Sequence, residues 1–282
     1  MFASPLVPPG APTPLPLLLP TISAGAGGCQ SRYPNGPGTC GLRTPRTQRR
    51  LPWYGASDSQ EERGKRVSNS QRRADNLVWI DLEFTHLDPQ VGAISQAAMI
   101  VTTAELEPLP PPGIDPRIGG LLYDVRIEER HVASASVWVR EHQSEQLERS
   151  LRGEDALDVQ KVEELFIGYL LATSEIPDNK ALRPLLAGNS VHGDFRYIKA
   201  HMPRLDELLS FRLVDVTTLK ELARRWYPRL VFSKNHETIR RWYPAEVDVE
   251  GEAHDALYDI KGSIAEMCFY RQHLFVPAEK AS

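Results

Sequence analysis

Cysteine is scarce in this chain of 282 residues: Cys29, Cys40 and Cys268 are all it has. Three scattered thiols make neither a disulfide framework nor a cysteine-based zinc site, so a reducing compartment is the default. A basic excess is also missing. The net charge is −4, which excludes the electrostatic footprint of a protein bound along long nucleic acid but leaves room for a short nucleic-acid substrate. No apolar run approaches the roughly 20 residues of a membrane helix; the longest, "LPLLLP", is cut by proline. Acidic residues are absent before Asp58, and the first 57 residues hold about half of the 23 prolines, with Arg32, Arg43, Arg46, Arg49 and Arg50 as their charges. Such a segment buries too little apolar surface to offset its ordering entropy, and a disordered tail is expected. Its acid-free, arginine-bearing character suits a transit peptide to the mitochondrion or another organelle, although its prolines oppose an amphipathic helix; without import the chain would be cytoplasmic. "SDSQEERGKRVSNSQRRAD" reads as a solvated linker. The expected organisation is a tail and linker over 1–75 and one folded domain over 76–278.

What is there begins at Asn76. "LVWIDLEF" reads as a strand, "AISQAAMIVTTAEL" as a second, and "LLYDVRI" as a third after the proline-rich turn "PLPPPGIDPRIGG". Three early strands joined by turns imply an antiparallel start. The period then changes. Val159, Val162, Leu165, Phe166, Tyr169 and Leu170 recur at three-to-four spacing, which predicts a helix. "ALRPLLAGNS" predicts a short strand, "DFRYIKAHM" and "PRLDELL" two helices, "RLVDVT" a strand, and "TLKELARRWYP" a helix ended by Pro228. "AHDALYDIKGSIAEMCFYRQHLF" predicts a long final helix with Ala256, Ile260, Ile264 and Met267 on one stripe. Strands first, then alternating helices and strands, give an α/β sheet with helices on its faces. No internal repeat stands out.

Three groups of polar residues interrupt this apolar pattern. Side chains alternate along a strand, so Asp81 and Glu83 share one face while Ile80, Leu82 and Phe84 take the other. Two adjacent carboxylates repel and resist burial; a divalent cation resolves both problems, and hard oxygen ligands select Mg²⁺ or Mn²⁺ over zinc. The plain alternative for Asp-x-Glu is an edge strand with a solvated acidic face, which the apolar run Leu77–Ile80 argues against. In the second group, Asp194 opens a helix after "AGNSVHG", where an Asp is most often only a cap. In the third, His254 and Asp259 are five apart. Both are expected on the last helix, where five residues make about 500° of rotation, so they do not share a tight face and would not both ligate one metal.

Asp-x-Glu on a first strand, an Asp at a middle helix and His-x₄-Asp at the last helix, in that order, form a constellation that resembles the His-type branch of the DEDD 3′→5′ exonucleases. "LVWIDLEFTHLDP", "GNSVHGDFRYIKAHMPRLDELLSFRLVDVTTLKELARRWYP" and "HDALYDIKGSIAEMCFYRQHLF" are similar to the oligoribonuclease family within it. The likeness runs from Asn76 to Phe275 and is loose over 108–180. It implies a ribonuclease H-like mixed sheet. It also implies two Mg²⁺ or Mn²⁺ ions about 4 Å apart, held by Asp81, Glu83, Asp194 and Asp259, with His254 as general base for the attacking water. The implied reaction releases nucleoside 5′-monophosphates from the 3′ end of short single-stranded RNA. The resemblance further implies that Leu87 wedges against the terminal base, that Ser190 and Arg212 hold the substrate phosphate, that Thr217, where the family often has Ser, belongs to the substrate-binding set, that Phe211 and His142 complete a cap, and that the protein is a homodimer with no membrane attachment.

Departures bear on the substrate rather than on the metal chemistry. His86 stands where the family has Gly, Phe211 where it usually has Tyr, and Gln96 where it usually has Glu; the connection "VFSKNHETIRRWYPAEVDVEGEAHD" is long. Loss of the Tyr hydroxyl removes a donor worth about 1–3 kcal/mol beside a charged acceptor. Two other readings therefore stand beside the first. One is a broader exonuclease acting on longer RNA or DNA 3′ ends. The other is a non-catalytic nucleic-acid-binding relative, against which all four acids and His254 are present.

Overall fold

The computed structural model describes residues 72–276. The expectations placed on residues 1–71, including the tail and its targeting character, lie outside the described residues. Five strands, β1 (Leu77–Phe84), β2 (Ile94–Thr102), β3 (Leu121–Asp124), β4 (Leu185–Gly188) and β5 (Leu213–Asp215), form one sheet in the order β3-β2-β1-β4-β5. The β1–β2 and β2–β3 pairs are antiparallel, the β1–β4 and β4–β5 pairs parallel. Parallel neighbours need long crossovers, and the connections supply helices: α1 (Glu129–Ser134), α2 (Val137–His142), α3 (Ser144–Arg152), α4 (Val159–Thr173), α5 (His192–His201), α6 (Pro203–Asp206), α7 (Val216–Trp226), α8 (His236–Trp242) and α9 (Ala256–Leu274). This is the mixed, ribonuclease H-like α/β sheet that the resemblance implies. Among the described residues no helix is long and apolar enough to cross a membrane.

β1 is the central strand, which is why its apolar run is continuous. Val78, Ile80 and Leu82 join Ala97, Met99 and Val101 of β2 against Phe166 and Leu170 of α4 and Ile198 of α5. Trp79 joins Ala98 and Ile100 on the other face, under Ile260, Ile264 and Phe269 of α9. Asp81 and Glu83 continue the Trp79 series, so the two acids sit on the α9 face of the sheet.

Four features differ from the sequence expectations. The stretch 129–152 forms three short helices, whose Val139 and Leu147 make a small separate core with Ile127; pieces of six to nine residues show too few turns for a clear period. The long connection after Phe232 contains α8, whose Ile239 and Tyr243 join the α9-side core. The chain is already docked at the end of the expected linker, where Arg73 bridges Ser174 and Glu175 N–H donates to the Arg73 carbonyl at 3.3 Å. Finally, a short repeat is present: Arg-Arg-Trp-Tyr-Pro occurs at 224–228 and again at 240–244.

Candidate active site

The β1–β4 pairing ends at Trp79↔Ala187, so the backbone of β1 beyond it needs other partners. Leu82 N–H finds one in the Asp194 carboxylate, at 2.9 Å. Asp194 is in the first turn of α5, whose N-cap is Val191; the acid is therefore no cap of that kind but a tie between α5 and the central strand. Glu83, two residues on from Asp81, accepts a short hydrogen bond from the Gln143 side-chain amide at the junction of α2 and α3.

The third group corrects the helical-rotation argument. α9 begins at Ala256 with Asp255 as its N-cap, the Asp255 carboxylate accepting from Tyr258 N–H at 3.2 Å. His254 thus precedes the helix, with a left-handed φ of 72°, a conformation His tolerates better than most side chains. Its backbone N–H donates to Asp259 Oδ2 at 3.0 Å. The turn brings His254 back over the helix, and one ligand atom each from Glu83, His254 and Asp259 lies within 4.8 Å of the others. So His254 and Asp259 do come together, and the tightest group includes the histidine. Its ring also meets Trp138 edge-on, centroids 4.8 Å apart, while Trp138 stacks on His142 at 4.8 Å.

The electrostatics of the acids show their crowding. Burial first, then the neighbouring Asp194, Glu83 and Asp259, push the Asp81 carboxyl well above the usual carboxylate range. Burial raises Glu83 to about 7, against the Gln143 hydrogen bond. Burial also raises Asp194 to about 7, against the Leu82 N–H. One cation partly offsets this field: Lys234 Nζ lies 2.7 Å from Asp259 Oδ1 and favours ionisation of Asp81 and Glu83. The donor set, four carboxylates with one imidazole beside them, fits hard divalent cations.

The remaining predicted residues fall into two sets. Ser190 (φ 51°) and Thr217 are brought together: Ser190 N–H donates to Thr217 Oγ1 at 2.8 Å and to Asp215 Oδ1 at 3.0 Å, with the two hydroxyls 3.2 Å apart. Arg212 donates to the Ala181 carbonyl at 3.0 Å and covers the exposed Phe211 ring at 5.0 Å; no contact joins this pair to the acids. Leu87 is 77% exposed on the loop after β1. That loop is braced from within: the His86 ring Nδ1 accepts from Asp88 N–H at 3.0 Å, and Tyr197 OH donates to the His86 carbonyl. The His86 departure is thereby a local turn brace. Gln96 has a structural reason as well. Its amide donates to Asp124, its partner in the β2–β3 register, at 3.1 Å, and its carbonyl accepts from Ala256 N–H at 3.0 Å; a Glu could not donate to Asp124.

Sequence reasoning missed Gln143 and Lys234. Gln143 lies in the unread helical stretch and carried no signal. Lys234 had an indirect one. Gly262 sits in the middle of α9, an unfavourable place for glycine that usually has a packing reason, and a Cβ there would run into Cγ, Cδ and Cε of Lys234.

Residues 155–267 match a family model described as an exonuclease. The chain is 38% identical over 205 residues to an oligoribonuclease of Corynebacterium glutamicum (strain R), covering 72% of this chain and 82% of that one. It is 34% identical over 203 residues to an oligoribonuclease of Pseudomonas syringae pv. tomato (strain ATCC BAA-871 / DC3000), covering 72% and 97%. Among solved structures, the zinc-bound form of the E. coli ExoI–ssDNA complex aligns with a TM-score of 0.50 at 12% identity over 71% of this chain and 41% of that one, a likeness of fold alone.

Proposed function

Since the chain belongs to the oligoribonuclease family, we propose that it is a 3′→5′ exoribonuclease that hydrolyses short RNA oligonucleotides to nucleoside 5′-monophosphates. The observation that carries this reading is the convergence of Glu83, His254 and Asp259 within 4.8 Å, in electrostatic contact with the half-buried Asp81 and, through Asp81 and Glu83, with the buried Asp194. In it Asp81, Glu83, Asp194 and Asp259 would hold Mg²⁺ or Mn²⁺, whose charge would acidify a water and offset negative charge on the phosphate. The chain's own groups do the rest. His254 receives the proton of the attacking water as the new P–O bond forms; the bond to the 3′-oxygen breaks, and that oxygen takes up a proton from solvent to leave as a 3′-hydroxyl. Trp138 meets that imidazole in a T-shaped contact, ring centroids 4.8 Å apart. Leu87 projects from its braced loop to pack on a base, and the Ser190–Thr217 hydroxyls, with Arg212 and His142, bind substrate phosphate. The resemblance sets Phe211 across a dimer interface, and its ring is 57% exposed and open to a second copy. We therefore extend the reading to a homodimer, which light scattering tests.

The test is product analysis on RNA and DNA oligomers of two to twenty residues with Mg²⁺. Fastest turnover of the shortest RNA, with 5′-monophosphate products, is the expected result. A marked preference for the longest oligomers, or for DNA, would replace this reading with the broader exonuclease. No cleavage by the intact chain would leave the binding relative.

A further inference from the structure

Both oxygens of Asp259 are engaged: Oδ2 accepts from His254 N–H at 3.0 Å, and Oδ1 faces Lys234 Nζ at 2.7 Å. The lysine reaches this place along a prepared path. Its stem crosses α9 at Gly262, where any Cβ would strike three of its methylenes. Glycine inside a helix is disfavoured relative to alanine, so the open space over residue 262 has a packing use, and Lys234 is what fills it. The backbone around Lys234 is fixed on both sides. Phe232 is buried against Phe269, ring centroids 5.6 Å apart, and the Asn235 carboxamide accepts from Thr238 N–H at 2.9 Å as the cap of α8. The ammonium is delivered to the acids by anchored backbone at one end and a groove in α9 at the other. Lysine is suited to such a post because its compact charge rides on four rotatable methylenes.

We propose that Lys234 is a tethered counter-ion of the carboxylate cluster, holding Asp259 in place while no divalent ion is bound and giving up that contact when one binds. The inference rests on the reading of these acids as a metal site. A carboxylate oxygen bonded to an ammonium is not free to ligate, and an ammonium left beside a divalent cation repels it. Metal binding and the Lys234–Asp259 contact therefore oppose each other, and by linkage each weakens the other.

The experiment uses the full chain, stripped of metal, in three forms: unaltered, Lys234→Met and Gly262→Ala. Mn²⁺ affinity is measured by calorimetry and the metal-free melting temperature by scanning. Lys234→Met is expected to bind Mn²⁺ at least about fivefold more tightly and to melt several degrees lower without metal. Gly262→Ala keeps the lysine and every acid but closes its path, and is expected to tighten Mn²⁺ binding in the same direction; it decides alone should Lys234→Met not fold. Mn²⁺ affinity that is unchanged or weaker overturns the proposal. If the unaltered chain itself binds no Mn²⁺, the metal-site reading falls with it, whereas equal Mn²⁺ binding by all three forms removes the role of Lys234 alone.

Discussion

Asp81, Glu83 and Asp194 stand on the central strand and the helix tied to it, beside Val78, Trp79 and Ile80, none more than 1% exposed. Leu87, Trp138 and Phe211, in contrast, project from turns or a six-residue helix and are 77, 44 and 57% exposed. The floor of the site is set by the same packing that sets the sheet, so its geometry is as rigid as the core. Its cost is visible in carboxyls whose pKa values burial and mutual repulsion push above the usual carboxylate range. The rim contributes little to the core and carries no comparable strain among its side chains. Substitutions should therefore separate the two: on the floor, activity and stability move in opposite directions, and on the rim only activity moves.

The largest effect is expected from Asp81→Asn. It removes a carboxylate from a crowded, buried cluster, so activity should fall by more than the roughly 10²–10⁴-fold that a general base contributes, while the metal-free protein melts at a higher temperature. His254→Asn should fall within that range and leave the melting temperature in place, because the side chain is exposed and asparagine, like histidine, tolerates the φ of 72°. Kinetics on a short RNA and scanning calorimetry check both. An Asp81→Asn protein that melts lower, with activity lost in proportion, would make the acid a structural member of the sheet and break the contrast.

How much of this was legible beforehand follows the same division. "LVWIDLEF" announced both a central strand and two same-face acids, because alternation and an apolar run are local properties. His254 lies before the helix and not on it as its spacing from Asp259 suggests; Asp255 before "ALY" is the N-cap signal that marks this start. The helices α2, α3 and α8 carry little pattern of their own, being short pieces whose stability comes from tertiary packing. The two Arg-Arg-Trp-Tyr-Pro segments show why. Each ends a helix at Trp with Tyr as C-cap and Pro next. Yet Tyr227 is 56% exposed and Tyr243 only 7%, because α8 lies along α9, where Trp242 meets the Phe269 ring at 5.1 Å. The local sequence decides that the helix stops; only the neighbour decides what is buried.

A pH titration sharpens the description of the floor. Glu83 ordinarily titrates at 4.5 and is raised to about 7 here, chiefly by burial. Below 4.5 it is protonated in both the folded and the unfolded chain. Between 4.5 and about 7 the folded state binds more protons than the unfolded one, so stability falls as pH rises through that window. Above it the full penalty of an ionised buried carboxylate stands. Metal-free protein should accordingly lose melting temperature across this interval, and Glu83→Gln should flatten the slope. Saturating Mn²⁺ should flatten it too, since a bound cation favours the ionised form in the folded state. A slope that is identical in Glu83→Gln would assign the pH dependence to groups other than Glu83, with Asp81 and Asp194, both also raised, the first to test.

The smallest effect is expected at the rim, from Leu87→Ala. Its side chain is almost fully in solvent, so shortening it removes little folding stability, within about 0.5 kcal/mol for an exposed site. Against a base, the same side chain buries apolar surface worth roughly 1 kcal/mol or slightly more. That corresponds to a loss of about fivefold or more in kcat/KM at 25 °C. The loss should be greatest on a dinucleotide, where one base contact is a large share of the total, and should shrink as added residues supply other contacts. Steady-state kinetics over a length series reads this directly. A loss below about twofold on the dinucleotide would mean that Leu87 does not pack on a base.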